Sequence, residues 1–402
     1  MLCIGSVSAH QEIVIGAIID EKGDGASYAS GIEAAIDLAI IDLNVSYAQS
    51  GIDTSVTLKK AFTDGTSEGA AQAAEDLLGQ GVQIIVGPTS SEEVSGILPI
   101  LTREGVVSVN PSSTTALSLP GNLLVRLCPD DSELLKAARK YHQMNNGDKA
   151  RKTVLLARED LYGGVISEIF SSDELIGEPV MYPAHTQDFT STLQTLDSVV
   201  TPLIDEVGEG NVTIIAISFD EIGDLLAQAS AYPGLWNARW EGMDGSALQS
   251  TVIENETAAE FAYKTGFIAL SFNIAQPPAS DYWRVFDAVQ EAKGGNIPSI
   301  YEILPYDETL MAAWIVQNNP KSSDEMLYIA DNYGKYSYAA TGWLKLNKNS
   351  DREYGDYYFY TVEKSDDGRY FWKPTYVYSY ENDFIFSLQG VHNTFMQRFS
   401  DI

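Results

Sequence analysis

Hydrophobic and polar positions along the chain alternate between two rhythms. Glu12 to Ile18 (EIVIGAI) is a short apolar run rich in β-branched residues, the pattern of a buried strand. Beyond GDGASYAS, the positions Ile32, Ala35, Ile36, Ala39, Ile40 and Leu43 recur at helical spacing. Ser55 to Phe62 then reads as a strand, Glu68 to Gln80 as a helix and Val82 to Gly87 as a second buried strand. A helix through Val94, Ile97, Leu98 and Leu101 leads to the strand Gly105 to Val109, and Leu123 to Cys128 is one more strand. The alternation then restarts. Lys152 to Ala157, PVMYPA, Asn211 to Ser218 and Ala238 to Met243 read as strands, separated by helical segments that include Gly163 to Phe170. Strand–helix alternation with short connections predicts parallel sheets covered by helices. Two α/β units of about 120 residues each are expected, a usual domain size.

Thr265 to Phe272 reads as a further strand, followed by helices around Trp283 to Ala292 and Tyr301 to Val316. The end of the chain changes character. GWLKLN, GDYYFYTVE, RYFWKP and TYVYSY are alternating and aromatic, the pattern of antiparallel strands.

Length and composition fit this picture. The chain has 402 residues, enough for two or three domains at roughly 150 residues each. It is 45% hydrophobic and 20% charged, a globular composition. The net charge of -31 repels phosphate backbones and anionic membrane surfaces, so no nucleic-acid partner is expected. Two cysteines, Cys3 and Cys128, are too few for a disulfide framework, a structural zinc site or an iron–sulfur cluster. No run of about 18 apolar residues exists to span a membrane. Residues 1–9 read either as the remnant of an export signal, with Val7-Ser8-Ala9 resembling a small-x-small cleavage site, or as a frayed terminus. The N-x-[ST] sequons at Asn44, Asn211 and Asn255 match a pattern that chance often produces.

Catalytic chemistry finds little support. The four histidines (His10, His142, His185, His392) show no metal-ligand spacing, and no nucleophile elbow or phosphate-binding loop is present. Gly23-Asp24-Gly25 begins like a dinucleotide fingerprint, but Tyr28 takes the third glycine position. Asn347 to Glu353 spaces oxygen ligands like a calcium loop, yet Arg352 replaces its glycine and Tyr358 its final Glu, so a hairpin turn is expected. No enzyme activity, cofactor or metal is expected.

A binding role fits better, because ligands of open α/β sheets sit beyond the carboxyl ends of the strands. GPTSSEE (Gly87 to Glu93) follows one strand. Its Ser90 and Ser91 suit either a helix cap or an anion such as a carboxylate. NPSSTTA (Asn110 to Ala116) is a second hydroxyl-rich loop, with capping or turn chemistry as its other reading. In the second unit Tyr162, Ser218, Asp220 and Asp244 follow their strands. Asp244 suits the ammonium of a ligand whose carboxylate meets the hydroxyl loops, or the cap of a following helix. Tyr162 reads as a ligand contact or as packing.

These landmarks, in order, resemble the type I periplasmic binding proteins, nearest the leucine/isoleucine/valine-binding components of branched-chain amino-acid ABC transporters. The resemblance runs from VIGAI through IIDLN, GPTSS, SVNPSSTTA, REDLYGG, DEIGDLL, EGMDGSA and YDETLMAAW to ATGWLKLNKNSDREYGDYYFYTV. It implies an α/β fold of two Rossmann-like lobes with three crossings between them. The first lobe would take residues 10–128 and 265–334, and the second 129–264 and 335–402. The resemblance implies an exported, non-enzymatic protein that captures an amino acid or similar small polar molecule and delivers it to a membrane ABC permease.

By the same resemblance Ser91, Ser112 and Thr114 meet the ligand carboxylate and part of the ammonium, Asp244 pairs with the ammonium and Tyr162 covers the ligand. Ser218 aligns near a second pocket aromatic, one residue before Phe219, and Tyr28 is the candidate contact of the shortened first loop. Ser90 stands where the family carries a disulfide cysteine, and Asp244 is shorter than the family's Glu. The changed side-chain end of the pocket argues against leucine itself as the ligand. Binders of amides or urea, and sensory ligand-binding modules, are the competing readings of the same fold.

Overall fold

The computed structural model describes residues 10–146, 151–170, 177–274 and 278–388. The nine N-terminal residues, read above as a signal remnant or frayed end, and the tail beyond 388 lie outside them.

The first lobe is built on a parallel sheet. Its strands are β1 (Gln11–Asp20), β2 (Thr54–Thr63), β3 (Ile84–Val86), β4 (Ser108–Asn110) and β5 (Leu124–Arg126), in the order β2-β1-β3-β4-β5. Residues 15–20 of β1 are buried without alternation, as a strand covered on both faces requires. At the edge, β2 buries only Val56 and Thr63, and its Lys60 pairs with Glu33 and Asp37. The covering helices α1 (Ala29–Ser50), α2 (Ser67–Gly79) and α3 (Ser91–Glu104) turn their predicted apolar faces inward: Ile32, Ala35, Ile36 and Ala39 of α1, and Val94, Ile97 and Leu101 of α3. Each fully buried aliphatic side chain contributes about 1.5–3 kcal/mol.

The second lobe holds an eight-stranded sheet in the order β15-β14-β13-β10-β9-β8-β6-β7. In chain order its elements are α4 (Asp131–Asn146), β6 (Lys152–Glu159), α5 (Leu161–Ile169), β7 (Val180–Pro183), α6 (Thr190–Val207), β8 (Val212–Ile217), α7 (Ile222–Ala229), β9 (Arg239–Gly242), α8 (Ser250–Glu254), α9 (Glu256–Thr265) and β10 (Ile268–Asn273). The chain then returns to the first lobe. There α10 (Tyr282–Ala292), α11 (Ile300–Gln317) and α12 (Ser323–Tyr336) pack, with α10 and α11 on α1 and α11 also beneath β1, β3 and β4. A two-stranded ribbon, β11 (Tyr338–Ala339) and β12 (Gly342–Trp343), precedes the antiparallel β13 (Asp356–Lys364), β14 (Tyr370–Ser379) and β15 (Phe384–Ser387) of the second sheet.

Three sequence expectations are corrected. The strand expected at 265–272 was placed with the first lobe, but β10 pairs with β9 and β13 in the second sheet, so the second crossing falls after it. A buried apolar strand carries no sign of which sheet it joins; its neighbours decide. RYFWKP and TYVYSY form the single strand β14, whose Pro374 sits where the register shifts against β13, a place where a missing N–H is tolerated. Within GWLKLN only Gly342 and Trp343 form a strand, while Leu344 and Leu346 turn into the core. The loop Asn347 to Glu353 is a hairpin turn, closed by the Leu346–Arg352 bridge and by Asn347 accepting from the Asn349 and Asp351 amides.

Candidate functional site

A cleft lies between the lobes at the carboxyl ends of β1 and β3 and of β6 and β9. Gly87, at φ +76°, makes the turn after β3; a Cβ there would lie 2.7 Å from the Ile18 carbonyl oxygen. The turn delivers Ser90 as the cap of α3. Its hydroxyl accepts from the Glu93 amide at 3.2 Å and donates to the Glu93 carboxylate at 2.9 Å. Ser91 follows in the first helical turn, and its Oγ accepts from the Thr114 amide at 3.3 Å, joining the two hydroxyl loops.

Asp244 enters from the second lobe, just beyond β9, and is buried. One carboxylate oxygen accepts from the Tyr162 hydroxyl and, at 3.0 Å, from the Gly245 amide. The other accepts from the Tyr301 hydroxyl at 2.5 Å. Burial raises the Asp244 carboxyl above its ordinary value, and the two tyrosines and the Gly245 amide work against that rise. Asp131, at the start of α4, is raised by burial and then by the charge of Asp244.

Of the expected ligand contacts, Tyr28, Ser91, Tyr162 and Asp244 line the cleft. Ser112, Thr114 and Ser218 do not; they lie buried just behind its wall, their hydroxyls without hydrogen-bond partners. Neighbours take their places, Pro111 and Ser113 for Ser112 and Thr114 of the second hydroxyl loop, and Phe219 for Ser218. Successive residues of an extended loop point to opposite sides, so an alignment off by one residue exchanges lining for packing. Phe219 stacks on Tyr162 at 5.0 Å between centroids and carries the Arg158 guanidinium at 4.4 Å.

Other residues of the site are not singled out by the sequence reading. Tyr301 is one; Ser299 and Glu302 form a capping box that sets it in the first turn of α11. Arg158 is another, next to the last residue of β6, after the apolar stretch Val154 to Ala157. It is buried among Asp160 (2.6 Å), Glu221 (2.7 Å) and Asp24 (2.8 Å), the last reached across the cleft from the first lobe. Further bonds link the lobes. Ser27 donates to Asp220 through its amide (2.8 Å) and hydroxyl (2.7 Å), and Gln249 donates to the Tyr28 hydroxyl at 2.8 Å. The structure is therefore a closed arrangement of the two lobes.

Burial pushes Glu93 up to about 7, with the charge of Asp20 adding to the rise. It also pushes Asp220 up to about 7 against the hydrogen bonds from Ser27. A carboxyl raised on folding takes up a proton, so its stabilising effect is present at low pH and fades as pH rises through the folded value. The ligand-free protein is therefore expected to melt at progressively lower temperature from pH 5 to pH 8. Glu93→Gln, which mimics the protonated form, should flatten that slope in thermal melts at constant salt. An equally steep slope in the variant would exclude Glu93 as a source.

Among the described residues no group of three His, Cys, Asp or Glu could hold a metal ion, and no helix is long and apolar enough to cross a membrane.

Comparison with known proteins agrees with this geometry. Residues 12–197 match the family model described as periplasmic binding protein. An uncharacterized protein of Methanocaldococcus jannaschii is 24% identical over 92% of this chain and 90% of its own length. A Leu/Ile/Val-binding protein homolog of Brucella melitensis is 23% identical over 73% and 75%. Among solved structures, the branched-chain amino acid transporter substrate binding protein of Streptococcus pneumoniae, in complex with isoleucine, superposes with a TM-score of 0.69 at 21% identity, over 90% of this chain and all of that one. An ABC transporter solute binding protein of Rhodopseudomonas palustris, in complex with 3,4-dihydroxybenzoic acid, gives 0.68 at 16% identity, over 94% and 96%.

Proposed function

We propose that this chain, which belongs to the periplasmic binding proteins and has their two-lobed type I fold, captures an amino acid between its lobes and hands it to a membrane ABC permease. Such a role places it outside the cytoplasmic membrane. The observation that carries the reading is Asp244, a carboxylate buried in the cleft, braced by Tyr162, Tyr301 and Gly245 and open to one further donor from the ligand. An ammonium is the donor such a group accepts best. On the facing lobe, the start of α3 at Ser91 suits the ligand's carboxylate. Lobe closure about the crossings then buries the ligand, and the closed form is what a permease recognises.

Structural neighbours also hold aromatic acids, and the cleft argues against such a ligand here. Six carboxylates line it (Asp20, Asp24, Glu92, Glu93, Asp160 and Asp244) against Arg158 and His185. A hydroxybenzoate offers a negative charge and no amine to that lining, and like charges repel in a low-dielectric cleft.

A thermal-shift screen of the twenty amino acids, short amides, urea and hydroxybenzoates tests this reading. A ligand at a hundredfold excess over Kd stabilises the native state by about 2.7 kcal/mol. Shifts confined to amino acids are expected. Shifts confined to amides or aromatic acids would overturn the role given to Asp244.

A further inference from the structure

Two carboxylates of the cleft's first-lobe wall are not accounted for by an amino acid's own ammonium and carboxylate. Asp20 ends β1 and Glu93 lies in the first turn of α3; both are buried and both line the cleft. Glu93 accepts from the Thr63 hydroxyl at 2.6 Å and the Ser90 hydroxyl at 2.9 Å. Asp20 accepts only backbone amides, from Lys22 (3.2 Å), Gly23 (2.6 Å) and Gly25 (2.9 Å). Neither has an ion-pair partner among the described residues. The lining basic side chains are already engaged: Arg158 sits among three carboxylates and His185 faces Asp24.

Burying two neighbouring carboxylates without a cation is strongly unfavourable, and apolar residues would fill the space at less cost. The acidity of the whole chain does not explain them, because solvated surface acids account for that and these two are withdrawn from solvent. Their arrangement makes sense if the cation arrives with the ligand. Asp20 and Glu93 belong to the first lobe, at the end of β1 and in the first turn of α3, whereas Asp244 enters from the second lobe just beyond β9.

We propose that the ligand is a basic amino acid, whose side-chain ammonium or guanidinium is received by Asp20 and Glu93 while its α-ammonium meets Asp244. The proposal rests on the amino-acid reading above and narrows it to one class.

Calorimetric titration with pairs matched in side-chain length and differing in charge tests it: lysine against norleucine, and ornithine against norvaline. The wild type is expected to bind a basic member at least about tenfold more tightly than its neutral counterpart. Glu93→Gln, and Asp20→Asn as a second variant, should bring the pair to within about twofold. Equal or tighter binding of norleucine and norvaline to the wild type would overturn the second charge and leave the amino-acid reading standing. A uniform loss for charged and neutral ligands alike in both variants, with circular dichroism unchanged, would also overturn it, since the carboxylates would then serve the cleft's shape. Failure of every amino acid to bind the wild type would overturn both.

Discussion

Asp244→Asn is expected to reduce affinity for an amino-acid ligand by at least about a hundredfold. Removing one partner of a buried, hydrogen-bonded ion pair costs about 3–5 kcal/mol, and each 1.4 kcal/mol is a factor of ten. The substitution keeps the volume and leaves an oxygen to accept from Tyr162 or Tyr301, so the walls of the cleft stay in place. It removes only the charge. The ligand-free protein should be no less stable than the wild type, because burial raises the Asp244 carboxyl and Asp131 feels its charge. Lost affinity with undiminished stability separates a binding role from a structural one. Titration calorimetry and thermal melts on the same samples read both quantities. Wild-type affinity in the variant would place the ammonium elsewhere.

The largest stability effect is expected at Arg126. This buried residue ends β5, where the chain leaves the first lobe. Its Nε meets an Asp351 carboxylate oxygen at 2.5 Å, and its Nη1 donates to the carbonyls of Ser112 (3.2 Å) and Thr114 (2.7 Å). Its backbone amide donates to Ser350 and its carbonyl accepts from Arg352. One side chain thus ties a hydroxyl loop of the cleft to the last crossing between lobes. Arg126→Met leaves Asp351 buried with only the Ser118 hydroxyl and two carbonyls short of a donor. A loss of about 3–5 kcal/mol in urea unfolding is expected. The exposed pair of Arg103 and Glu75 is the control, and breaking it should cost about 1 kcal/mol or less. Arg126→Met with Asp351→Leu should recover part of the loss, because it removes the stranded charge as well. A cost at Arg126 no larger than at Arg103 would show that the pair contributes nothing.

Much of this protein is legible without coordinates. Largely apolar runs such as EIVIGAI and VQIIVG read as strands covered on both faces, and the 3.6-residue spacing of Ile32, Ala35, Ile36 and Ala39 as a face turned to a core. Strand-end loops must lie at one edge of a parallel sheet, so Ser91, Tyr162 and Asp244 could be gathered before their distances were known. Those inferences rest on periodicity and chain direction, which are local.

What the sequence left open depends on contacts between residues far apart in the chain. β10 joins the second sheet through β9 and β13, and nothing in its own composition distinguishes the two sheets. Ser218 and Phe219 differ by one position, yet only the turn of the folded loop decides which of them faces the cleft. Asp244 acquires Tyr301 from 57 residues away, and Arg126 acquires Asp351 from 225 residues away. Glu93 reads as an ordinary acid in the first turn of a helix; only the packed fold removes it from water beside Asp20. Sequence alone determined the elements, their alternation and the sheet edge where the cleft forms, because these follow from local spacing. Tertiary structure decided which charges are buried together, because desolvation and Coulomb interaction depend on distance in space.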